Sequence, residues 1–424
     1  MAAAQQLLDV YPLSSCLNAD GVLAIGGVSA LDLAREFGTP AYVVAQDDLR
    51  ARARSFRTAF AARSPRTHVS FASKAFPCTA VLRVFAQEGL GCDVASAGEL
   101  ALALRAGFSP EQILVHGNAK SEAELHGAVA AGVGLIVVDN DDEIDRLGAV
   151  LRETGARQAV LIRVAPGVSP DTHPSISTGG PNTKFGFSLA DAPAAIARLQ
   201  ADPDHVDLQG VHFHIGSQIL SLEPFRAALE AVRVLGDFDT YDLGGGLGAA
   251  YGQDDDPPSI EDYAAAKVAM VDELVGPGKR ILDEPGRALV ANAGVTLYTV
   301  QSVKRNVATW VAVDGGMSDN LRPMLYGARY EVEVADRFGG GTPCHVTGKH
   351  CESGDVIVRD ATLADPRVGD ILVTPGTGAY GYAMANNYNG VPRPPVVFVA
   401  GGDARVVVRR EHTDDLFARD VDPA

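Results

Sequence analysis

From residue 68 onward the chain alternates between two hydrophobic patterns. Short runs dense in β-branched, aromatic and small residues read as buried strands. Between them lie longer stretches with apolar residues at helical spacing. The strand-like runs cover 68–74, 91–96, 113–118, 135–140, 159–164, 209–216, 240–245 and 280–286. The helical stretches cover 80–88, Ala97–Ala106, Glu122–Ala131, 141–153, 192–199, 223–235 and 260–275. Eight strands, each followed by a helix or a turn, predict an α/β fold of the (β/α)8 TIM-barrel type. An open doubly wound sheet is the structural alternative. The chain lacks the GxGxxG strand–turn–helix near its start that marks the dinucleotide-binding version.

Upstream, the pattern predicts a short helix over 29–37, closed by Gly38-Thr39-Pro40, and a strand over Ala41–Ala45. A helix over 47–63 follows, acidic first and basic later, the order the helix dipole favours. After about residue 295 the texture changes. The runs 295–303, 310–313, 330–334, 344–347, 371–374, 396–399 and 405–409 are short and separated by Gly, Pro and Asp turns. They predict a separate all-β domain, sandwich-like or barrel-like. The expected organisation is an N-terminal segment (1–40) that joins the β domain, a barrel over 41–294 and a C-terminal β domain over 295–424.

Composition narrows the partners. Among 424 residues, 36 Lys and Arg face 53 Asp and Glu, a net charge of −17. Such a surface repels phosphate backbones and argues against nucleic acid. The five cysteines form no CxxC pair and are odd in number. That argues against a disulfide framework or a metal site of the zinc type, and fits a reducing cytoplasm. No basic-then-apolar leader opens the chain, and no apolar run reaches about 18 residues, so no membrane span is expected.

Barrel enzymes place their working groups at the C-terminal ends of strands. Here those ends carry Lys74, then Asp93 and Ser96, then His116 and Asn118. Further on come His212 and His214 with Gly216-Ser217, then Gly244-Gly245-Gly246, then Glu284-Pro285-Gly286-Arg287. Each has a bland reading alone: a solvated strand end, a helix cap, a core histidine, a tight turn. Their joint placement argues for one site. The glycines offer unhindered backbone N–H groups to an anion, and Arg287 adds a cation for a phosphate or a carboxylate. A lysine, a phosphate cradle, a carboxylate and a histidine around one barrel mouth suggest pyridoxal 5′-phosphate, carried on the Lys74 amine. Glu284 beside the pyridine nitrogen would keep the ring protonated and electron-poor, as loss of CO2 requires. His214 has the character to pack on the ring face.

Six motifs make these residues familiar: VHFHIGSQ (211–218), DLGGGLG (242–248), EPGR (284–287), DGGMSDNLRPMLYGARY (314–330), CESGD (351–355) and GAYGYAMANNYN (378–389). With them, nearly the whole chain resembles the pyridoxal-phosphate-dependent decarboxylases built on the alanine-racemase barrel, and among these the diaminopimelate decarboxylases. The resemblance implies decarboxylation of meso-2,6-diaminopimelate to L-lysine and CO2, the last step of lysine biosynthesis. It implies that Lys74, His214, Glu284 and Cys351 are catalytic, with Cys351 returning a proton to the substrate carbon. Cofactor contacts would come from Lys74, Asp93, His214, Ser217, Gly245, Gly246, Glu284, Pro285, Gly286, Arg287 and Tyr380. Substrate contacts would come from Arg287, Arg322, Tyr326, Glu352 and Tyr380. It also implies a homodimer in which Cys351 and Glu352 reach the neighbour's site.

Chemistry bears on the substrate. The far end of diaminopimelate carries an amine and a carboxylate, so its site needs an anion and a cation, which Glu352 and Arg322 supply. A decarboxylase for ornithine or lysine would leave that Arg unpaired. Such an enzyme, or one for a carboxylated diamine, is the alternative reading. A racemase would carry Arg where Glu284 stands, and a non-catalytic regulatory relative would lose Lys74 or Cys351. Two departures from the family pattern, Phe76 after the Lys motif and Gly327-Ala328-Arg329 after Tyr326, touch substrate preference rather than reaction class.

Overall fold

The eight runs close into a barrel. The computed structural model describes Leu7 and residues 9–168, 178–180 and 183–421. One compact unit is formed by Arg50–Gly248 and Asp256–Leu289. The other gathers the chain up to Leu49, Ala249–Asp255 and the chain from Val290 onward.

In the barrel unit the strands are β1 (Thr67–Ala72), β2 (Gly91–Val94), β3 (Ile113–Val115) and β4 (Leu135–Val138). They continue as β5 (Gln158–Ala165), β6 (Val206–His212), β7 (Thr240–Asp242) and β8 (Arg280–Asp283). Each pairs in parallel with the next, and β8 returns to β1 with Leu282 opposite His68. Closure leaves no free strand edge. The strands are buried almost throughout, which is why they read as continuous apolar runs rather than alternating ones.

Local chemistry starts and stops the helices between them. Ser96, Ser121, Asn140 and Ser259 accept a backbone N–H three residues on. Gly107, Gly132 and Gly155 end their helices in the left-handed region, where a Cβ would be strained. Leu114, Leu135, Val137, Leu161 and Leu282 form one buried cluster in the barrel. Asp93, His116, His212 and Glu284 are also buried, and they lie at or just beyond strand C-terminal ends.

Lys267 ties an outer helix to two strand ends. It sits on Ile260–Leu274 with its side chain wholly buried. Its Nζ donates to Asp283 Oδ1 at 2.5 Å, Gly244 O at 2.8 Å and Leu243 O at 3.3 Å. Tyr263 OH also donates to Asp283, at 2.9 Å.

The second unit is built on a nine-stranded sheet. Its path runs Val356–Leu363, Thr342–Thr347, Thr309–Val313, Gly294–Arg305, Ala41–Ala45, Val396–Ala400 and Asp403–Val408. Ile371–Pro375 pairs with Gly294–Arg305 and with Glu333–Val334. Val43, Ala45, Val295, Leu297, Val373, Val397 and Val399 share its core with Leu23, Ile25 and Leu33 from the N-terminal segment.

Two expectations need correction. Ala41–Ala45 was expected in the barrel (41–294), but it pairs antiparallel with Gly294–Arg305 and parallel with Val396–Ala400. All five of its residues are buried, so its pattern matches that of a barrel strand. Residues 249–255 and 290–294 likewise belong to the sheet unit. The strand Val356–Leu363 was not anticipated. It starts one residue past the CESGD motif and carries Arg359 and Asp360 exposed on an end strand, which masks its β character.

Replacing Lys267 by Met leaves Asp283 buried without its cation. Stability is expected to fall by about 3–5 kcal/mol, read as a lower denaturation midpoint, and Asp283→Asn in the same chain should recover part of it. A midpoint unchanged by Lys267→Met would refute this account of the pair.

Candidate active site

The barrel candidates gather at the C-terminal ends of the strands. Strand β1 stops at Ala72, and a 3-10 turn, Ser73–Ala75, presents Lys74. The Lys74 side chain is about half exposed, and its Nζ lies 3.5 Å from Asp93 on β2. Ala72 N–H donates to Pro285 O. A Cβ on Gly286 would lie 3.2 Å from both Ala72 and Ala75, so this Gly lets the Glu284 turn pack closely against the Lys74 turn.

Glu284, just past β8, is buried between two imidazoles. His116 Nε2 donates to its Oε1 at 2.6 Å, and His212 Nε2 to its Oε2 at 3.3 Å. Burial alone would raise this carboxyl. His116 first, and His212 with it, outweigh burial and hold it well below the usual carboxylate range. The neighbouring Asp242 moves the other way: burial first, then the Glu284 charge, push its carboxyl well up. The two acids are thus driven in opposite directions. Donor atoms of His116, His212, Asp242 and Glu284 lie within 4.8 Å of one another, close enough to hold a cation. Shared protons already account for the closest of these contacts.

His214 follows β6 with its ring partly open and its Nδ1 enclosed, without a hydrogen-bond partner among the described residues. Burial first, then the Lys74 and Arg163 charges, keep it well below its usual pKa, so it is a neutral flat ring. Arg287 is buried and donates from Nε and Nη2 to Ser217 Oγ at 3.1 and 3.0 Å. The glycine run lies close by through backbone pairing. Ile219 N–H donates to Gly246 O, and a Cβ on Gly246 would sit 2.7 Å from Gly216 O. On Gly245 a Cβ would come within 1.9 Å of Glu284 O. No larger residue fits at 245 without moving the Glu284 turn, or at 246 without moving the Gly216 turn.

The remaining candidates lie in the sheet unit. Arg322 is buried, hydrogen-bonded to the Tyr330 hydroxyl, with its guanidinium 4.9 Å from the Tyr251 ring centroid. Tyr326 ends the short helix Arg322–Tyr326 and is half-buried. Tyr380 holds a left-handed backbone (φ 63°), which a non-glycine adopts only where the surroundings impose it. Cys351 and Glu352 are exposed.

Residues 46–291 match the model of the pyridoxal-dependent decarboxylase, pyridoxal binding domain. The chain is 47% identical over 427 residues to a diaminopimelate decarboxylase of Actinosynnema pretiosum, covering 97% of this chain and 95% of that one. It is 44% identical to a diaminopimelate decarboxylase of Bacillus subtilis, covering 95% and 96%. This chain belongs to the diaminopimelate decarboxylase family. The crystal structure of a diaminopimelate decarboxylase from M. jannaschii in complex with L-lysine matches with a TM-score of 0.91 at 32% identity, covering 98% and 99%. The enzyme is thus a decarboxylase dependent on pyridoxal 5′-phosphate. The barrel residues fit that cofactor: an amine, a neutral ring with one nitrogen unpartnered among the described residues, a buried carboxylate, and a glycine cradle beside a buried Arg.

Sequence reasoning marked His116 and His212 as strand-end residues but gave them no part in holding Glu284. It missed Asp242 as a titratable group and Lys267 and Tyr251 altogether, and carried Tyr330 only as the end of a motif and the start of a β run. A histidine at a strand end of the decarboxylase was the available signal. Nothing in the sequence distinguishes Lys267 from a surface lysine, since its helix has acids and alanines around it.

His212 makes a pH test. Burial first lowers its pKa to about 3. An unfolded chain takes up that proton near pH 6.5, which the folded one refuses until far lower pH. The contribution is therefore complete above about pH 6.5 and is lost on acidification. In His212→Gln, the drop in unfolding free energy between pH 7 and 5 should shrink by about 2 kcal/mol. An unchanged drop in urea titrations would contradict the buried neutral imidazole.

Proposed function

We propose that the enzyme removes CO2 from meso-2,6-diaminopimelate in the cytoplasm, giving L-lysine, and that it works as a homodimer with shared active sites. The carrying observation is the ionised Glu284 at the barrel end that also presents Lys74, Arg287 and the glycine run. The L-lysine bound to the M. jannaschii relative supports the product.

Bound pyridoxal 5′-phosphate supplies an electron sink for the pair left at the substrate's α-carbon when CO2 departs. Lys74 would hold the cofactor covalently through its amine. Gly245, Gly246, Ser217 and Arg287 take the phosphate through N–H and O–H donors and a cation. Glu284, kept ionised by His116 and His212, would hold a proton on the cofactor's nitrogen. His214 would support the ring, and Asp93 orients Lys74. Arg322 takes the distal carboxylate of the substrate, with Tyr326 and Tyr380 beside it, and Glu352 takes the distal amine. Cys351 delivers the proton that completes lysine. Both Cys351 and Glu352 are exposed in the single chain, which supports their serving the site of a second copy.

Arg322→Ala should cut kcat/KM for diaminopimelate by about 10- to 100-fold, the worth of a charged hydrogen bond, and spare any slow turnover of ornithine. Equal losses on both would favour a decarboxylase for another diamino acid. Shared sites predict that Lys74→Ala and Cys351→Ala, each forming little lysine alone, regain lysine formation when mixed and allowed to exchange subunits. Mixtures that stay inactive, with exchange verified, would rule out the shared dimer.

A further inference from the structure

CESGD is the motif with most of its chemistry at one end, yet its last residue is the most heavily engaged. Asp355 is buried, and its carboxylate accepts three hydrogen bonds. Met317 N–H donates to Oδ1 at 2.7 Å. His350 N–H and His350 Nδ1 donate to Oδ2 at 2.9 and 2.7 Å. Two glycines make room for it. A Cβ on Gly348 would lie 2.1 Å from Oδ2, and one on Gly316 2.5 Å from Oδ1. These contacts bind the DGGMSDN loop to the segment that carries Cys351.

The same segment is held from a third side. Cys351 N–H donates to Asn389 Oδ1 at 2.8 Å. The His350 ring stacks on Tyr388, centroids 6.1 Å apart and planes 23° from parallel. Asn386 N–H donates to Ser318 O, and Lys349 N–H to Gly315 O. Three motifs far apart in sequence are thus woven around one buried carboxylate. Cys351 and Glu352 project from that weave, exposed, with Glu352 N–H on His350 O and Asp355 N–H on Glu352 O.

We propose that the Asp355–His350 pair is the positioning device for Cys351 and Glu352. The inference rests on Cys351 being the proton donor. It explains why a buried acid and a buried histidine flank two exposed working residues. A thiol that must reach one carbon gains little from its own loop, and the carboxylate locks that loop to two others. A displacement of about 1 Å at such a group costs on the order of 100-fold in rate. Neither Asp355 nor His350 is required to touch substrate.

The test compares Asp355→Asn, His350→Phe, His350→Asn and Cys351→Ala in the cofactor-loaded enzyme with diaminopimelate. The diagnostic readout is the fraction of turnovers that misplace the proton. In those the substrate's amine would remain on the cofactor, water would supply the carbonyl oxygen, and the decarboxylated aldehyde, 2-amino-6-oxohexanoate, would be released instead of lysine. Asp355→Asn and His350→Phe should raise that fraction at least about tenfold, with kcat falling more than KM rises. His350→Asn, whose amide nitrogen can replace Nδ1, should return most of the way to wild type. Hydrogen exchange at 314–320 and 348–355 should quicken in Asp355→Asn and stay unchanged in Cys351→Ala. If Cys351→Ala keeps the wild-type fraction, the proton-donor reading falls and the proposal with it. If Cys351→Ala raises the fraction while Asp355→Asn and His350→Phe do not, the positioning role alone is overturned. Should Asp355→Asn fail to fold, the two His350 variants carry the same decision.

Discussion

A carboxylate enclosed in protein and kept ionised is the constraint on which this structure turns. Glu284 is 5% exposed, where an isolated charge would take up a proton rather than persist. Two imidazole donors prevent that, one at 2.6 Å and one at 3.3 Å. Each comes from a different part of the barrel wall, His116 after β3 and His212 at the end of β6. The anion therefore depends on the barrel closing in register. Asp242 beside it is shifted the other way, its carboxyl pushed up by burial first and then by the Glu284 charge. An acid of this kind suits a task that an exposed Glu cannot perform, holding a proton on a weakly basic ring nitrogen.

Much of the fold was legible because barrel strands and their helices carry strong local signals. Apolar runs such as Leu135–Val138, with Ser or Asn before helices such as Glu122–Ala131 and Asp141–Thr154 and Gly after them, mark both the elements and their bounds. Where two readings share one pattern, local signals fail. Ala41–Ala45 is as buried in its sheet as any barrel strand, and only its partners, Gly294–Arg305 and Val396–Ala400, assign it. Val356–Leu363 failed for the opposite reason, since Arg359 and Asp360 interrupt its apolar run.

The site was legible to the extent that chemistry sits at strand ends. Lys74, Asp93, His214, Glu284 and Arg287 were marked that way and do share one end of the barrel. What position cannot convey is who donates to whom. The Glu284 pairing with His116 spans 168 residues, and the Lys267 contact with Asp283 runs from a helix that looks solvent-facing in sequence. In the sheet unit, motifs gave the exposed Cys351 and Glu352, while the pairing beneath them of Asp355, from the same motif, with His350 emerges only from the three-dimensional weave. Working residues announce themselves by type; their supports are chosen by geometry.

The protonation of the cofactor ring nitrogen decides most directly whether Glu284 has this role. Nitrogen-15 NMR of the enzyme loaded with pyridoxal 5′-phosphate labelled at that nitrogen reads it without reference to turnover. The account predicts a pyridinium signal in the wild type near pH 8 and its loss in Glu284→Gln. A wild-type nitrogen that is unprotonated, or one that stays protonated without the Glu284 carboxylate, would contradict it.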